Sequence, residues 1–328
     1  MMKNFFAWLQ IVRFPNVFTI VADALTAGAL TYYLRDFPVV LAVAFTIASV
    51  GAICLYWSGM ILNDAYDAEE DAALRVNRPI PSGRISRKTA FRVGWGLWVG
   101  GLALCLTGGV TGFLNGTGIS AVFFVSAILL AVCIWLYDAE FKNTPVGPFL
   151  MGMCRGLNIL MLLSFRPMSE LAASPLLLYP LALTIYITGV TFYARGETEE
   201  APEVGIHRPG VVATLFSLLL MAGGIALLVP FPSWLESWMP GSVTALFVME
   251  PWRWVILISV LALWLVFRAF SAYFQGPLRV RIMVKLALFT VFLLDAGLVA
   301  VVGGIPAAMM ILACFAIASV IGRWVYST

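Results

Sequence analysis

Asn63, Asp64, Asp67 and Asp71 set an amide and three carboxylates at the end of a long apolar run. On a helix Asp64, Asp67 and Asp71 fall at i, i+3 and i+7 and point the same way, with Asn63 one turn before Asp67. Hard oxygen ligands on one face suit a divalent cation such as Mg2+ that also holds a phosphorylated group. Asn63 and Asp64 follow directly on Trp57-Ser58-Gly59-Met60-Ile61-Leu62, so they lie at membrane depth, where ionised groups are costly and mark function. Anions gathered at that depth repel one another unless a cation or basic side chain lies between them. The plainer reading is a helix end carrying solvated carboxylates.

Downstream, Arg75 to Ser86 carries Arg78 beside Pro79, Pro81 and Gly83, which stop the helix and hold the loop in one shape. Arginine presents a planar fork that binds phosphate oxygens in pairs, and Arg78 is read as a phosphate ligand. Arg84, Arg87, Lys88 and Arg92 read as anchors to the membrane surface. Lys142 is a second phosphate clamp or another anchor. Arg155 and Asn158 lie at i, i+3 inside an apolar run, and an arginine at that depth needs an internal partner. A substrate anion, a motif carboxylate or a structural ion pair each fits. A second acidic cluster follows Tyr193-Ala194-Arg195: Glu197 and Glu200 share a helical face if helix persists there, with Arg195 placed to neutralise one of them. The single histidine, His207, reads as a surface loop residue.

The elements that must position these groups follow from composition. The chain has 328 residues, 62% hydrophobic and 11% charged, with mean hydropathy +0.96, far from the roughly 25% charged residues of a soluble domain. It reads as an all-α polytopic membrane protein. Apolar segments long enough to span stand at about 14–34, 38–62, 90–112, 118–137, 146–165, 172–193, 210–230, 252–272, 284–303 and 305–326. If all ten cross, 17 of the 20 lysines and arginines fall on one side. That segregation places both termini and the basic loops in the cytoplasm. The net charge of +3 follows from this bias and gives no reason to invoke nucleic acid. The first ten residues read as an interfacial helix, since the apolar run after Arg13 is too long for a signal peptide. Cys54, Cys105, Cys133, Cys154 and Cys314 sit within apolar spans without metal-ligand spacing and read as core. Trp234, Trp238, Trp252 and Trp254 read as an aromatic belt at headgroup depth. Asp23 and Asp295 are isolated acids within spans, either of which could mark an ion path.

With these residues named, the chain resembles the UbiA superfamily of intramembrane prenyltransferases. Asn63-Asp64-x-x-Asp67-x-x-x-Asp71 matches that family's first motif in full. Asn77-Arg78-Pro79-Ile80-Pro81-Ser82-Gly83-Arg84-Ile85-Ser86 follows the stretch common after it, and Tyr137 with Lys142-Asn143-Thr144-Pro145, and Arg13-Phe14-Pro15-Asn16, are similar to two further landmarks. The resemblance implies nine to ten helices in a ring around a central lipid-accessible cavity, with Mg2+ and a prenyl diphosphate held at its cytoplasmic end. It assigns Asn63, Asp64, Asp67 and Asp71 to metal, Arg78 and Lys142 to diphosphate, and Asn16 to the same pocket. Laid on Tyr193 and Ala194, the family's second motif puts Val190, Glu197, Glu200 and Ala201 where aspartates are expected. Two acids are lengthened and two are lost, and the pattern is similar to an EboC-like branch. Glu197 and Glu200 remain candidate metal ligands, and Arg155, Asn158, Tyr193 and Arg195 are candidate residues for binding the diphosphate and its metal.

The whole chain, 1–328, reads as one domain, with a two-fold repeat of four-helix units at about 14–137 and 146–272 suggested by the two acidic loops. The expected activity is Mg2+-dependent transfer of a prenyl group from its diphosphate to a small-molecule or lipid acceptor. Two other readings stay open: a lipid-alcohol phosphotransferase, whose characteristic signature is absent, and a membrane carrier using Asp23, Arg155 and Asp295.

Overall fold

Every apolar stretch in this chain is long enough to satisfy its own backbone as a helix, which is what a bilayer demands of a spanning segment. The computed structural model describes residues 2–34, 38–116, 118–173, 175–195, 208–230, 233 and 251–325. Among the described residues the regular structure is helical: α1 (Met2–Ile11), α2 (Phe14–Leu34), α3 (Val39–Tyr66), α4 (Ala68–Leu74), α5 (Arg87–Leu114), α6 (Ala121–Leu136), α7 (Gly147–Leu163), α8 (Met168–Ala173), α9 (Leu178–Arg195), α10 (Arg208–Ala226), α11 (Pro251–Tyr273) and α12 (Pro277–Ile321). Among the described residues, eight helical segments, two of them within α12, are long and apolar enough to cross a membrane. Two shorter apolar helices, Gly147–Leu163 and Val211–Ala226, stand where two further spans are expected. The last two expected spans form one element, α12, which bends at Gly304 (φ 71°, ψ −174°) two residues before Pro306.

Neighbouring helices close a ring in the order α2, α3, α5, α6, α7, α9, α10, α11, α12 and back to α2. Where they approach most closely, glycine makes room. A Cβ on Gly156 of α7 would run into Thr184 of α9, and one on Gly152 into Thr188. A ladder of tyrosines on α9 braces the far side. Tyr179 hydrogen-bonds Asp295 of α12, Tyr186 donates to the Ala287 carbonyl at 2.8 Å, and Tyr193 to the Ala269 carbonyl at 2.7 Å. The i, i+7 spacing keeps all three on one face.

Two sequence expectations are corrected here. Trp254 is not part of an exposed belt: it is fully buried and donates its indole N–H to the Leu228 carbonyl at 2.9 Å. Trp252 is exposed, and Trp234 and Trp238 lie outside the described residues. Arg84 and Arg87 are also more than surface anchors. Arg84 bonds Gln10 and the Asn77 carbonyl at 2.7 and 2.6 Å, and Arg87 bonds the Ala65 carbonyl at 2.9 Å and Glu69 at 2.5 Å. Arg84 thus ties the loop at 75–86 to α1, and Arg87 ties the start of α5 to α3 and α4.

Candidate functional site

The acidic motif is presented by a nearly continuous helix. α3 ends at Tyr66, Asp67 caps it with its N–H on the Asn63 carbonyl, and α4 resumes at Ala68 with the Asp71 N–H on the Asp67 carbonyl at 2.8 Å. The break costs little register, so Asp64, Asp67 and Asp71 keep one face as their spacing requires. Asn63, Asp64 and Asp71 are buried.

The repulsion expected among these anions is met by basic side chains from three directions. Arg78 is itself buried, and its Nη1 lies 2.6 Å from Asp71 Oδ2 and 3.6 Å from Asp64 Oδ1. The turn that aims it is tight: Ser82 N–H on the Arg78 carbonyl, Ile85 N–H on the Pro79 carbonyl, and Gly83 at φ 73°, a conformation that favours glycine. Ile80 and Ile85 pin this turn into a small core with Ile11, Ile61 and Ala65. Lys142 contacts Asp67 and reaches Asn63 Oδ1 at 3.3 Å. Arg13 Nη2 stands 3.6 Å from Asp64.

Arg13 occupies a strained position. Between α1 and α2 it takes φ 47°, alone among the described non-glycine residues in the left-handed region, a conformation that costs energy and clusters at functional sites. Burial is the largest single influence and disfavours its charge, but Asp64, Tyr56, Tyr137 and Asp138 together outweigh it and hold the guanidinium above its ordinary pKa.

Lys142 is delivered by an irregular segment. After α6 the backbone widens into a π-helical turn, Tyr137–Phe141, a feature often found at functional sites. The turn buries Asp138, which accepts from Asn63 Nδ2 at 3.1 Å. Arg195 then donates to the carbonyls of Lys142 and Thr144, both at 2.6 Å, tying the loop to the end of α9.

Beneath this polar end lies a cavity of about 320 Å³. α2, α3, α6, α7, α9 and α12 wall it, with Arg13, Asn16, Tyr56, Tyr137 and Asp138 among the lining residues, and aliphatic side chains, Phe289 and the polar Thr19, Arg155 and Asn158 further along. Val190, where the second motif is altered, and Ala194, where it is kept, are on this wall.

The structure therefore brings together Asn63, Asp64, Asp67, Asp71, Arg78 and Lys142 in one cluster, which meets the cavity lined by Asn16 through Arg13 and Asp138. It places Tyr193 elsewhere, in the packing between α9 and α11. Arg155 finds its partner in Asp23, at 2.7 Å, and not in a motif carboxylate, and Asn158 donates to the same Asp23 at 3.3 Å. Asp295 is held by Tyr179. Glu197, Glu200 and His207 lie outside the described residues. Sequence reasoning passed over Asp138 and Tyr56 as site residues. Asp138 carried a signal, an acid at the end of an apolar run, whereas Tyr56 differs from a core tyrosine only by the cavity it faces.

Among the described residues, no three acidic, histidine or cysteine side chains converge to hold a metal ion unaided. Mg2+ ordinarily takes one or two carboxylates and completes its shell with water and substrate phosphate. The donors here fit that pattern: Asp64 Oδ1 and Asp138 Oδ2 are buried oxygens without a hydrogen bond.

Comparison with known proteins agrees with this architecture. Residues 20–277 match the UbiA prenyltransferase family. The chain is similar to digeranylgeranylglyceryl phosphate synthase of Methanopyrus kandleri, 32% identical over 34% of this chain and 39% of that protein. It is similar to the Ignicoccus hospitalis protein of the same name, 30% identical over 42% and 40%. The matched stretch thus spans about two fifths of these relatives' length. A solved structure of a digeranylgeranylglyceryl phosphate synthase superposes with TM-score 0.60 at 18% identity, covering 93% of this chain and 100% of that one. A UbiA homolog from Archaeoglobus fulgidus, solved bound to DMAPP and Mg2+, superposes with TM-score 0.58 at 14% identity, covering 95% and 99%.

Proposed function

The chain belongs to the UbiA prenyltransferase family, and on that premise we propose that it transfers an isoprenoid chain from a prenyl diphosphate to an acceptor within the membrane. One observation carries the reading: Arg13, Arg78 and Lys142 converge on the Asn63–Asp71 motif, and that cluster adjoins a largely apolar cavity through Arg13, which pairs with Asp64, and Asp138, which bonds Asn63. A diphosphate headgroup fits the first and a prenyl tail the second.

Asn63, Asp64 and Asp67 would hold Mg2+, with Asp71, Asp138, Glu197 and Glu200 as further oxygen donors. Bound there, Mg2+ would neutralise charge on the leaving diphosphate. Arg78 and Lys142 already neutralise carboxylates, and they are the groups that would turn to diphosphate oxygens as negative charge develops there, a charge-assisted interaction strongest in the transition state. Arg78 Nε, buried and without a partner, is free to donate. Arg195 holds the Lys142 loop in place. Cleavage of the allylic C–O bond leaves a cation that the acceptor must capture before water does. Tyr56, Tyr137 and Phe289 offer it aromatic faces, and the aliphatic wall excludes water. The segregation of basic residues supports a cytoplasmic placement of this end.

The test incubates purified protein with Mg2+, geranylgeranyl diphosphate and a membrane lipid extract. Pyrophosphate release together with a prenylated product by mass spectrometry, both lost in Asp67→Asn, is the expected result. Intact donor after prolonged incubation with a range of prenyl chain lengths contradicts the reading.

A further inference from the structure

Deeper along α2, the cavity wall carries a second polar group of residues that the diphosphate does not use. Arg155 lines the cavity and donates to Thr19 Oγ1 at 2.9 Å, to the Thr19 carbonyl at 3.1 Å and to Asp23 at 2.7 Å. Its side chain is only 10% exposed, and its buried Nε–H has no hydrogen-bond partner. Thr19 follows Asn16 by three residues, so this node sits about 4.5 Å, a little under one helical turn, below the polar end. That is the depth at which the first carbons of a donor anchored at Arg13 and Arg78 would lie.

We propose that Arg155 is a specificity-determining residue that receives the acceptor through an uncharged oxygen, a hydroxyl or carbonyl, on its free Nε–H. The inference rests on the prenyl-transfer reading above and names the acceptor class that reading leaves open. Charge decides the class. Asp23 is wholly buried and neutralises Arg155 directly, and Asp295 is near enough to both to interact electrostatically. The node therefore has no positive charge to spare, and an anionic headgroup placed on it would be an uncompensated charge at membrane depth. A neutral oxygen has the opposite balance, because it satisfies a donor that is otherwise buried unpaired. Neutrality also serves the chemistry: a bare guanidinium at the depth of an allylic cation would repel it, and Asp23 cancels that repulsion.

The experiment compares matched acceptor probes on protein preloaded with geranylgeranyl thiodiphosphate and Mg2+: 2-naphthol against 2-naphthoate, and octylglycerol ether against its phosphate. The expected result is tighter binding of the neutral member of each pair. Arg155→Lys keeps the charge opposite Asp23 but lacks the Nε–H fork, and should weaken 2-naphthol binding at least tenfold with thiodiphosphate affinity within twofold. The paired variant Arg155→Met with Asp23→Asn removes both charges together, keeps the interior neutral, and should give the same loss. Preference for the anionic probes, or unchanged naphthol binding in both variants, overturns the assignment while leaving prenyl transfer intact. Failure of the native protein to bind the thiodiphosphate overturns the underlying reading itself, and this inference with it.

Discussion

Replacing Arg78 tests whether the basic side chains at the site serve the fold, the donor, or both. Arg78 bonds Asp71 at 2.6 Å and faces Asp64 at 3.6 Å while almost wholly buried. Removing one partner of a buried ion pair costs about 3–5 kcal/mol. Here Asp64 keeps Arg13 at 3.6 Å and Asp71 keeps Arg75 at 3.7 Å. The low end therefore applies to Arg78→Met, about 3 kcal/mol. At about 2 °C per kcal/mol for a chain of this size, the melting temperature should fall by about 6 °C. Donor binding should fall further, because each hydrogen bond to a charged group is worth about 1.5–3 kcal/mol. That predicts about 10- to 100-fold weaker binding of geranylgeranyl thiodiphosphate. Arg78→Lys separates the two effects. It retains a cation between the carboxylates and should recover most of the melting temperature, but it lacks the planar fork and should not recover donor affinity. Tryptophan-monitored unfolding in detergent and calorimetric titration read the two quantities on the same preparation. Donor affinity in Arg78→Met equal to that of the native protein, at any stability, would refute the reasoning.

Arg195→Gln should leave the fold intact but loosen the Lys142 loop, whose two carbonyls it holds at 2.6 Å; the expected signature is a raised KM for donor with a smaller change in kcat, by steady-state pyrophosphate release. Gly156→Ala should cost about 1–3 kcal/mol or more, since its methyl has no space against Thr184, and a melting temperature equal to the native one would show that α7 and α9 are not packed as described. Chelating Mg2+ with EDTA should abolish thiodiphosphate binding without moving the melting temperature of the unliganded protein, as calorimetry and thermal unfolding can check.

Much of the fold was legible because a bilayer leaves few choices: long apolar runs become helices, and the described helices fall where those runs stand. The motif was legible for a related reason. Asp64, Asp67 and Asp71 lie on one nearly continuous helical run from α3 into α4, so helical periodicity puts them on a common face. What the sequence withheld were pairings between elements. Asn63 and Asp138 meet across 75 residues, and only the π-helical turn after α6 buries the acid beside the amide. Arg155 meets Asp23 across 132 residues, and local spacing holds no trace of that pair. Tyr193 was read as a ligand from its place in a motif, yet it stands seven residues beyond Tyr186 and fourteen beyond Tyr179, which makes it part of a brace. Trp254 was misread because an aromatic near a span end is equally at home in a headgroup layer or against the Leu228 carbonyl.

The central claim is that one cavity holds a prenyl diphosphate with its headgroup among Arg13, Arg78 and Lys142 and its tail along the wall from Tyr56 to Phe289. Determining the structure with geranylgeranyl thiodiphosphate and Mg2+ tests it most directly. The account predicts diphosphate density bonded to Arg78 and Lys142, metal density against Asp64 and Asp67, and tail density passing Arg155. A diphosphate bound elsewhere on the protein, or a tail lying outside the ring of helices, would contradict it.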